Sequence, residues 1–332
     1  MSVIYIKEQG SYLRLKGEQV AVTKGNKTLL EFPIYNIENI AVFGNVQVTT
    51  QVLSKLMNQG IDIMYFTYAG KYIGNTVAEK SKNIFLRFAQ YEAYMDEKKR
   101  LGMARAIVEN KIHNQINVIK SFHWEREEYE YLRDIQQMKQ LLSSLQDKKS
   151  NNEVMGIEGL CSNIYFHCFR HMLKNGMSFE KRVRRPPRDP VNALLSLTYT
   201  FLVKDMSAVL EGYSFEMYLG FLHGIRYGRK SLALDMIEEW RQPVADRLVL
   251  RLFNKGMMTE GDFQENTGDG VFLYEDGFRK FCNEYERWMR EPKNNGKSYR
   301  LLMKNQAGML KKSLEEGGMY SPFRYLDTTE IR

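Results

Sequence analysis

The chain has 332 residues, 43% hydrophobic and 27% charged, with only 24 glycines and 7 prolines, so it is globular and neither collagen-like nor disordered. Its 48 Lys and Arg against 40 Asp and Glu give a formal charge of +8, which permits contact with nucleic acid or acidic lipid without demanding it. The opening MSVIYIKEQG is not a secretion signal, and no uninterrupted apolar stretch approaches the roughly 20 residues of a membrane span. Cys161, Cys168 and Cys282 contain no Cys-x-x-Cys pair, so the expectation is a reduced, cytoplasmic protein with no membrane contact.

Residues 1–78 carry short runs of branched and aromatic residues, at 3–6, 12–15, 19–22 and 28–32, separated by Gly10, Gly17 and Gly25-Asn26 at hairpin spacing. Further strands are predicted at 39–42, 63–66 and 72–76. Thr49 or Thr50 caps a short helix over 51–58 that Gly60 closes. This reads as a small, mostly antiparallel β domain with one helix, and its exposed edges suit dimerisation. From residue 82 the apolar period changes from 2 to 3.6. Helices are predicted over 83–122 (with an internal break), 127–148, 154–175, 190–210, 213–224, 231–254, 273–290 and 297–315. Residues 149–156 look linker-like, and Gly256 to Gly270 reads as a loop. The fold class is therefore α+β, with a β domain over 1–78 and an all-helical domain over 79–332.

Four features carry possible chemistry. Glu158 lies between Gly156 and Gly159 near the start of an apolar helix, where the glycines clear space for a close approach. Tyr165 lies seven residues on, along roughly the same face. On pattern alone an ordinary first-turn glutamate, favoured by the helix dipole, is the leading reading. On that helix His167 and His171 form an i,i+4 pair able to clamp a metal, but without an interposed glutamate they read as a partly exposed face. His223 ends the apolar segment Gly220-Phe221-Leu222-His223, and the helix that follows carries Asp235 and Glu238 three residues apart. Glu158, His223 and these acids make an oxygen-rich set with one imidazole, suited to Mg²⁺ or Mn²⁺ if the helices meet. Finally, Lys181, Arg182, Arg184, Arg185 and Arg188 surround Pro186-Pro187, an extended basic segment fitted to a phosphate backbone or simply to water. Asp189 before Pro190 is placed to cap the next helix. Arg105 and Lys111 on the long helix, and Arg300 near the C-terminus, extend the predicted DNA-binding surface.

In order and spacing, four stretches resemble the integrase-endonuclease family of CRISPR adaptation. They are Gly156-Ile157-Glu158-Gly159 with Tyr165-Phe166, Arg184 to Ser196, Gly220 to His223, and Ser231 to Glu239; fainter echoes lie at 104–112, 299–300 and 306–307. The resemblance covers nearly the whole chain. It implies an N-terminal β domain that dimerises and a helical domain holding one Mg²⁺ or Mn²⁺ on Glu158, His223 and Glu238. Asp235 ranks as a supporting acid and Tyr165 as a positioning residue. It also implies attack by the 3′-hydroxyl of double-stranded DNA on a phosphodiester at the CRISPR repeat, with hydrolysis as a side activity. The implied assembly is a heterohexamer of two homodimers around a small ferredoxin-like dimer. A non-enzymatic DNA-binding scaffold and a metal-dependent hydrolase of a small phosphorylated molecule are the rival readings.

Overall fold

The structure is a computed structural model that describes residues 2–76, 83–123, 131–174, 176–184, 186–266, 270–292 and 296–325. The chain divides into two compact units, Met1–Lys80 and Ser81–Arg332.

The first unit contains β1 (Ser2–Ile6), β2 (Ser11–Lys16), β3 (Gln19–Lys24), β4 (Lys27–Pro33), β5 (Ile37–Phe43), β6 (Val46–Val48), α1 (Thr50–Asn58), β7 (Asp62–Phe66) and β8 (Tyr72–Thr76). They form two four-stranded sheets, in the orders β4-β3-β2-β6 and β1-β5-β7-β8. Alternating side chains such as Leu13, Val20, Val22, Ile40 and Ile63 pack with Val52 and Leu56 of α1 into one core. The expectation of a mostly antiparallel domain needs correction. β1–β5, β5–β7 and β2–β6 are parallel, whereas β2–β3, β3–β4 and β7–β8 are antiparallel. Helix α1 is the reason for one of these pairs, since it carries the chain across so that β7 returns in the direction of β5.

The second unit contains α2 (Ile84–Met95), α3 (Glu97–His123), α4 (Tyr131–Ser143), α5 (Asn151–Met172), α6 (Pro190–Tyr213), α7 (Ser231–Ile237), α8 (Arg247–Asn254), α9 (Glu275–Arg290) and α10 (Tyr299–Glu316). The break predicted within 83–122 falls at Asp96, whose Oδ1 accepts from the backbone N–H groups of Lys98 and Lys99 at 2.9 and 3.0 Å. Helix α6 is apolar and long enough to cross a membrane by composition alone, but its side chains Leu194, Leu195, Phe201, Leu202 and Leu210 are buried in the protein core. Three expectations change here. The helix predicted over 213–224 is absent: Ser214 turns the chain at φ 75° and residues up to Lys230 run irregularly. The helix predicted over 231–254 is divided by a π-helical stretch, Arg241–Asp246, containing Pro243, which has no N–H to donate. The unit is also not all-helical, because β9 (Phe263–Asn266) and β10 (Gly270–Leu273) pair antiparallel.

Candidate active site

Three side chains of the helical unit meet directly, and a fourth lies near enough to act on one of them through its charge. Helix α3 contributes Lys111, α5 contributes Glu158, the end of α7 contributes Glu238, and the irregular segment before α7 contributes His223. Lys111 Nζ donates to Glu158 Oε1 and, at 2.6 Å, to Glu238 Oε2. Lys111 and Glu238 are buried, and Glu158 is half-buried at the edge of the site. Glu158 Oε1 also accepts from Ser162 Oγ at 2.9 Å, one turn along α5, and Ser162 is held in turn by Gln115 Nε2 at 3.2 Å. Glu238 Oε1 faces Arg241 at 3.1 Å. Burial opposes charge on both carboxyls, and the cations prevail. Lys111 holds Glu158 below its ordinary range, while Arg241 and Lys111 hold Glu238 at about 2. A side chain on Gly156 or Gly159 would meet no heavy atom within 4 Å, so the helix surface at these two positions is uncrowded.

Asp235 has a different task from Glu238. Its Oδ2 accepts from the backbone N–H groups of Phe221 and Leu222 at 2.5 and 2.9 Å, and its Oδ1 from that of His223 at 2.9 Å. Oδ1 also lies 2.6 Å from His223 Nδ1. That contact places the neutral ring's proton on Nδ1 and leaves Nε2 as the acceptor, the arrangement a metal-binding histidine needs. These bonds also explain why 220–223 is not helical, since its N–H groups are used by a side chain. Gly220 is required there: a Cβ would come within 2.6 Å of Asp235 Oδ2. Beside this loop a cavity of about 510 Å³ opens, lined among others by Tyr94, Lys98, Arg100, Asn152 and Gly224.

The donor set fits a hard divalent cation: two carboxylates, and an imidazole with its tautomer fixed. Among the described residues no three His, Cys, Asp or Glu side chains already converge as a ready-made metal cluster. The Lys111 ammonium stands between the two glutamates, and His223 is paired with Asp235. His167 and His171 stack edge to face at 5.4 Å, with His167 near Asp134, apart from this centre.

Comparison with known proteins decides the family. The family model for CRISPR associated protein Cas1 matches residues 4–287. The chain belongs to the Cas1 family. It is 34% identical to CRISPR-associated endonuclease Cas1 3 of Thermus thermophilus, over 97% of each chain. Among solved structures it resembles TM1797, a Cas1 protein from Thermotoga maritima, with 26% identity, a TM-score of 0.84, and coverage of 98% of this chain and all of that one. A chain of a Cas6-RT-Cas1–Cas2 complex shares the fold at a TM-score of 0.82 and 22% identity, over 98% of this chain and 36% of that one.

Within this Cas1 fold the remaining predicted residues separate by environment. Lys181, Arg184 and Arg188 are exposed, and Arg185 lies outside the described residues. Arg182 turns inward, donating to Val183 O, Asn192 Oδ1 and Ser196 Oγ at 2.7, 2.8 and 3.0 Å. Arg105 is held by Lys148 O, and Arg300 forks onto Glu286 at 2.7 and 2.8 Å. These three arginines, like Lys111, have their charge engaged within the protein. Tyr165 is fully buried, with its hydroxyl directed toward Asp246 beneath the site; burial first, then Asp246, pushes the phenol well above its ordinary range. It lies in the core and not at the surface of the site.

Sequence reasoning did not foresee Arg241, Ser162 or Asn192. Asn192 bonds the Lys181 and Val183 backbone and Asp189, fastening the basic segment to the start of α6, while Asp189 caps that helix through Asn192 N at 2.7 Å. The available signal for Ser162 was its i,i+4 spacing from Glu158.

Proposed function

We infer that this Cas1-family protein is a metal-dependent DNA endonuclease and integrase that inserts spacer DNA into a CRISPR array. The observation that carries the reading is the meeting of Glu158 and Glu238, from separate helices, on one cation, with His223 held by Asp235 and close enough to Glu238 to favour its charged form. Glu158, Glu238 and His223 Nε2 would hold Mg²⁺ or Mn²⁺. A bound divalent cation supplies Lewis-acid polarisation of the scissile phosphodiester and neutralises its developing charge.

The protein's own contribution is placement. Asp235 fixes the His223 ring, Ser162 and Gln115 orient Glu158, and Arg241 steadies Glu238. The uncrowded helix surface at Gly156 and Gly159 would leave room for the DNA strand. In strand transfer the 3′-oxygen of the incoming fragment bonds to phosphorus, and the 3′-oxygen of the repeat strand leaves with a proton. With water as nucleophile the same centre hydrolyses the strand. Lys181, Arg184, Arg185 and Arg188 would contact phosphates and position the duplex without reading its sequence.

The proposed assembly is a homodimer, joined in a heterohexamer to a small ferredoxin-like partner of the Cas2 type, acting on duplexes with 3′-hydroxyl ends and on the CRISPR repeat. Two features support a dimer: the exposed outer strand β4, and a row of exposed apolar side chains, Ile84, Phe85, Phe88, Tyr91 and Met95, along α2. Three free, buried cysteines suit the reducing cytoplasm.

The test is cleavage and strand transfer in Mn²⁺ by wild type and by Glu158→Gln, His223→Ala and Glu238→Gln. Each variant is expected to lose about 100-fold or more of both activities while staying folded. Near-wild-type activity of Glu158→Gln would return the protein to the DNA-binding scaffold reading.

A further inference from the structure

Every oxygen of Glu238 is already engaged by a cation: Oε1 by Arg241 at 3.1 Å and Oε2 by Lys111 at 2.6 Å. The same ammonium holds Glu158 Oε1. Two carboxylates and two cations thus leave the pocket electrically balanced before any metal enters. A divalent cation bridging both carboxylates would compete with these partners for the same oxygens, and most directly with the ammonium that stands between them.

The two are not equally free to move. Arg241 lies over the Tyr199 ring at 5.0 Å, and Tyr199 is anchored by its hydroxyl to Asp246 at 2.6 Å. Among the described residues Lys111 Nζ bonds the two carboxylates, at the end of a flexible four-carbon stem. Its backbone is well fixed, because Asn110 and Asn114 on the same helix hold the chain at Phe323, and Asn114 also bonds Glu239 O at 2.8 Å. Movement is therefore confined to the side chain.

We propose that Lys111 is a resident counter-cation which neutralises Glu158 and Glu238 in the metal-free protein, yields their oxygens to the divalent cation, and then pairs with a phosphate of the bound DNA. The assignment rests on the metal-centre reading above and deepens it. It stabilises the protein without metal, since a buried and a half-buried carboxylate side by side without a cation would be destabilising. It also couples the two ligands. DNA offers the displaced ammonium a new partner and so favours metal entry, and by reciprocity metal favours DNA.

Calorimetric titration of Mn²⁺ into the full-length protein tests this without using activity. Lys111→Met preserves the bulk of the stem, and Lys111→Gln preserves a neutral donor. Both are expected to bind Mn²⁺ about tenfold more tightly than wild type, because no ammonium has to leave. Both should melt at lower temperature without metal and gain more from saturating Mn²⁺. If Lys111→Met is unfolded without metal, recovery of a cooperative transition on adding Mn²⁺ supports the proposal, and failure of both variants to recover overturns it. A duplex oligonucleotide should raise the wild-type affinity for Mn²⁺ and leave that of both variants unchanged; equal gains would overturn the phosphate assignment. Glu158→Gln is the control, expected to lose Mn²⁺ binding. Unchanged or weaker Mn²⁺ binding by the Lys111 variants, with Glu158→Gln inactive in binding, refutes the role of Lys111 alone. Wild-type affinity in Glu158→Gln refutes the metal centre itself.

Discussion

Asp246 shows how a single buried carboxyl supports the site from below. Burial pushes it up to about 6, against the hydrogen bond from Tyr199 that favours the charged form. An unfolded aspartate titrates near 3.9, so between about pH 4 and pH 6 the folded protein binds the extra proton. The stability this group contributes is complete below about pH 4 and is lost as pH rises through 6, by no more than about 3 kcal/mol. Asp246→Asn keeps an acceptor for Tyr199 and removes the titration. Denaturant unfolding from pH 4 to pH 8 should therefore show the variant gaining stability relative to wild type as pH rises. A constant difference across that range would mean that Asp246 does not titrate there. At this scale Glu158 and His223 were legible because glycines and an apolar run isolate them in the sequence. Lys111 was not, since a lysine among basic residues on a long helix reads as surface; only tertiary packing places it between two acids.

At the scale of elements, the interval before α7 departs furthest from its local pattern. Residues 213–224 have an apolar content that suggests a helix, yet Asp235, more than ten residues ahead, takes the N–H groups a helix would have used. A local period cannot register a partner that distant. The basic segment was better predicted, because prolines and a capping aspartate act on their immediate neighbours. Its shape is completed from outside by the β9–β10 hairpin, where Val271 N donates to Pro187 O at 2.9 Å and Gly270, at φ +93°, passes against Pro186 and Pro187. Replacing Arg184, Arg185 and Arg188 together with glutamine should weaken DNA binding uniformly across sequences. The slope of log affinity against log salt should become shallower by about 0.9 for each phosphate that the variant no longer neutralises. A salt titration measures both, and an unchanged slope would make these arginines an ordinary solvated surface.

For the whole molecule, the change from period 2 to period 3.6 near residue 82 was enough to separate a β unit from a helical one. Parallel pairing within the β unit was not readable, because alternation fixes which face of a strand is buried but not which neighbour it joins. The β unit bears none of the candidate catalytic groups, and its proposed task is dimerisation. Light scattering on a chain lacking residues 1–78 should then report a monomer at micromolar concentration. A stable dimer would transfer the main interface to the helical unit, where the apolar row on α2 is the first candidate.

The central claim is that Glu158, His223 and Glu238 form one divalent-metal centre in a Cas1-family nuclease. Anomalous diffraction at the manganese edge, from crystals of the full-length protein grown with Mn²⁺, tests it most directly. The account predicts one peak bounded by the Glu158 and Glu238 carboxylates and His223 Nε2, with Lys111 Nζ withdrawn from at least one of those carboxylates. A peak elsewhere, such as between His167 and His171, with Lys111 still bridging the two glutamates, would contradict it.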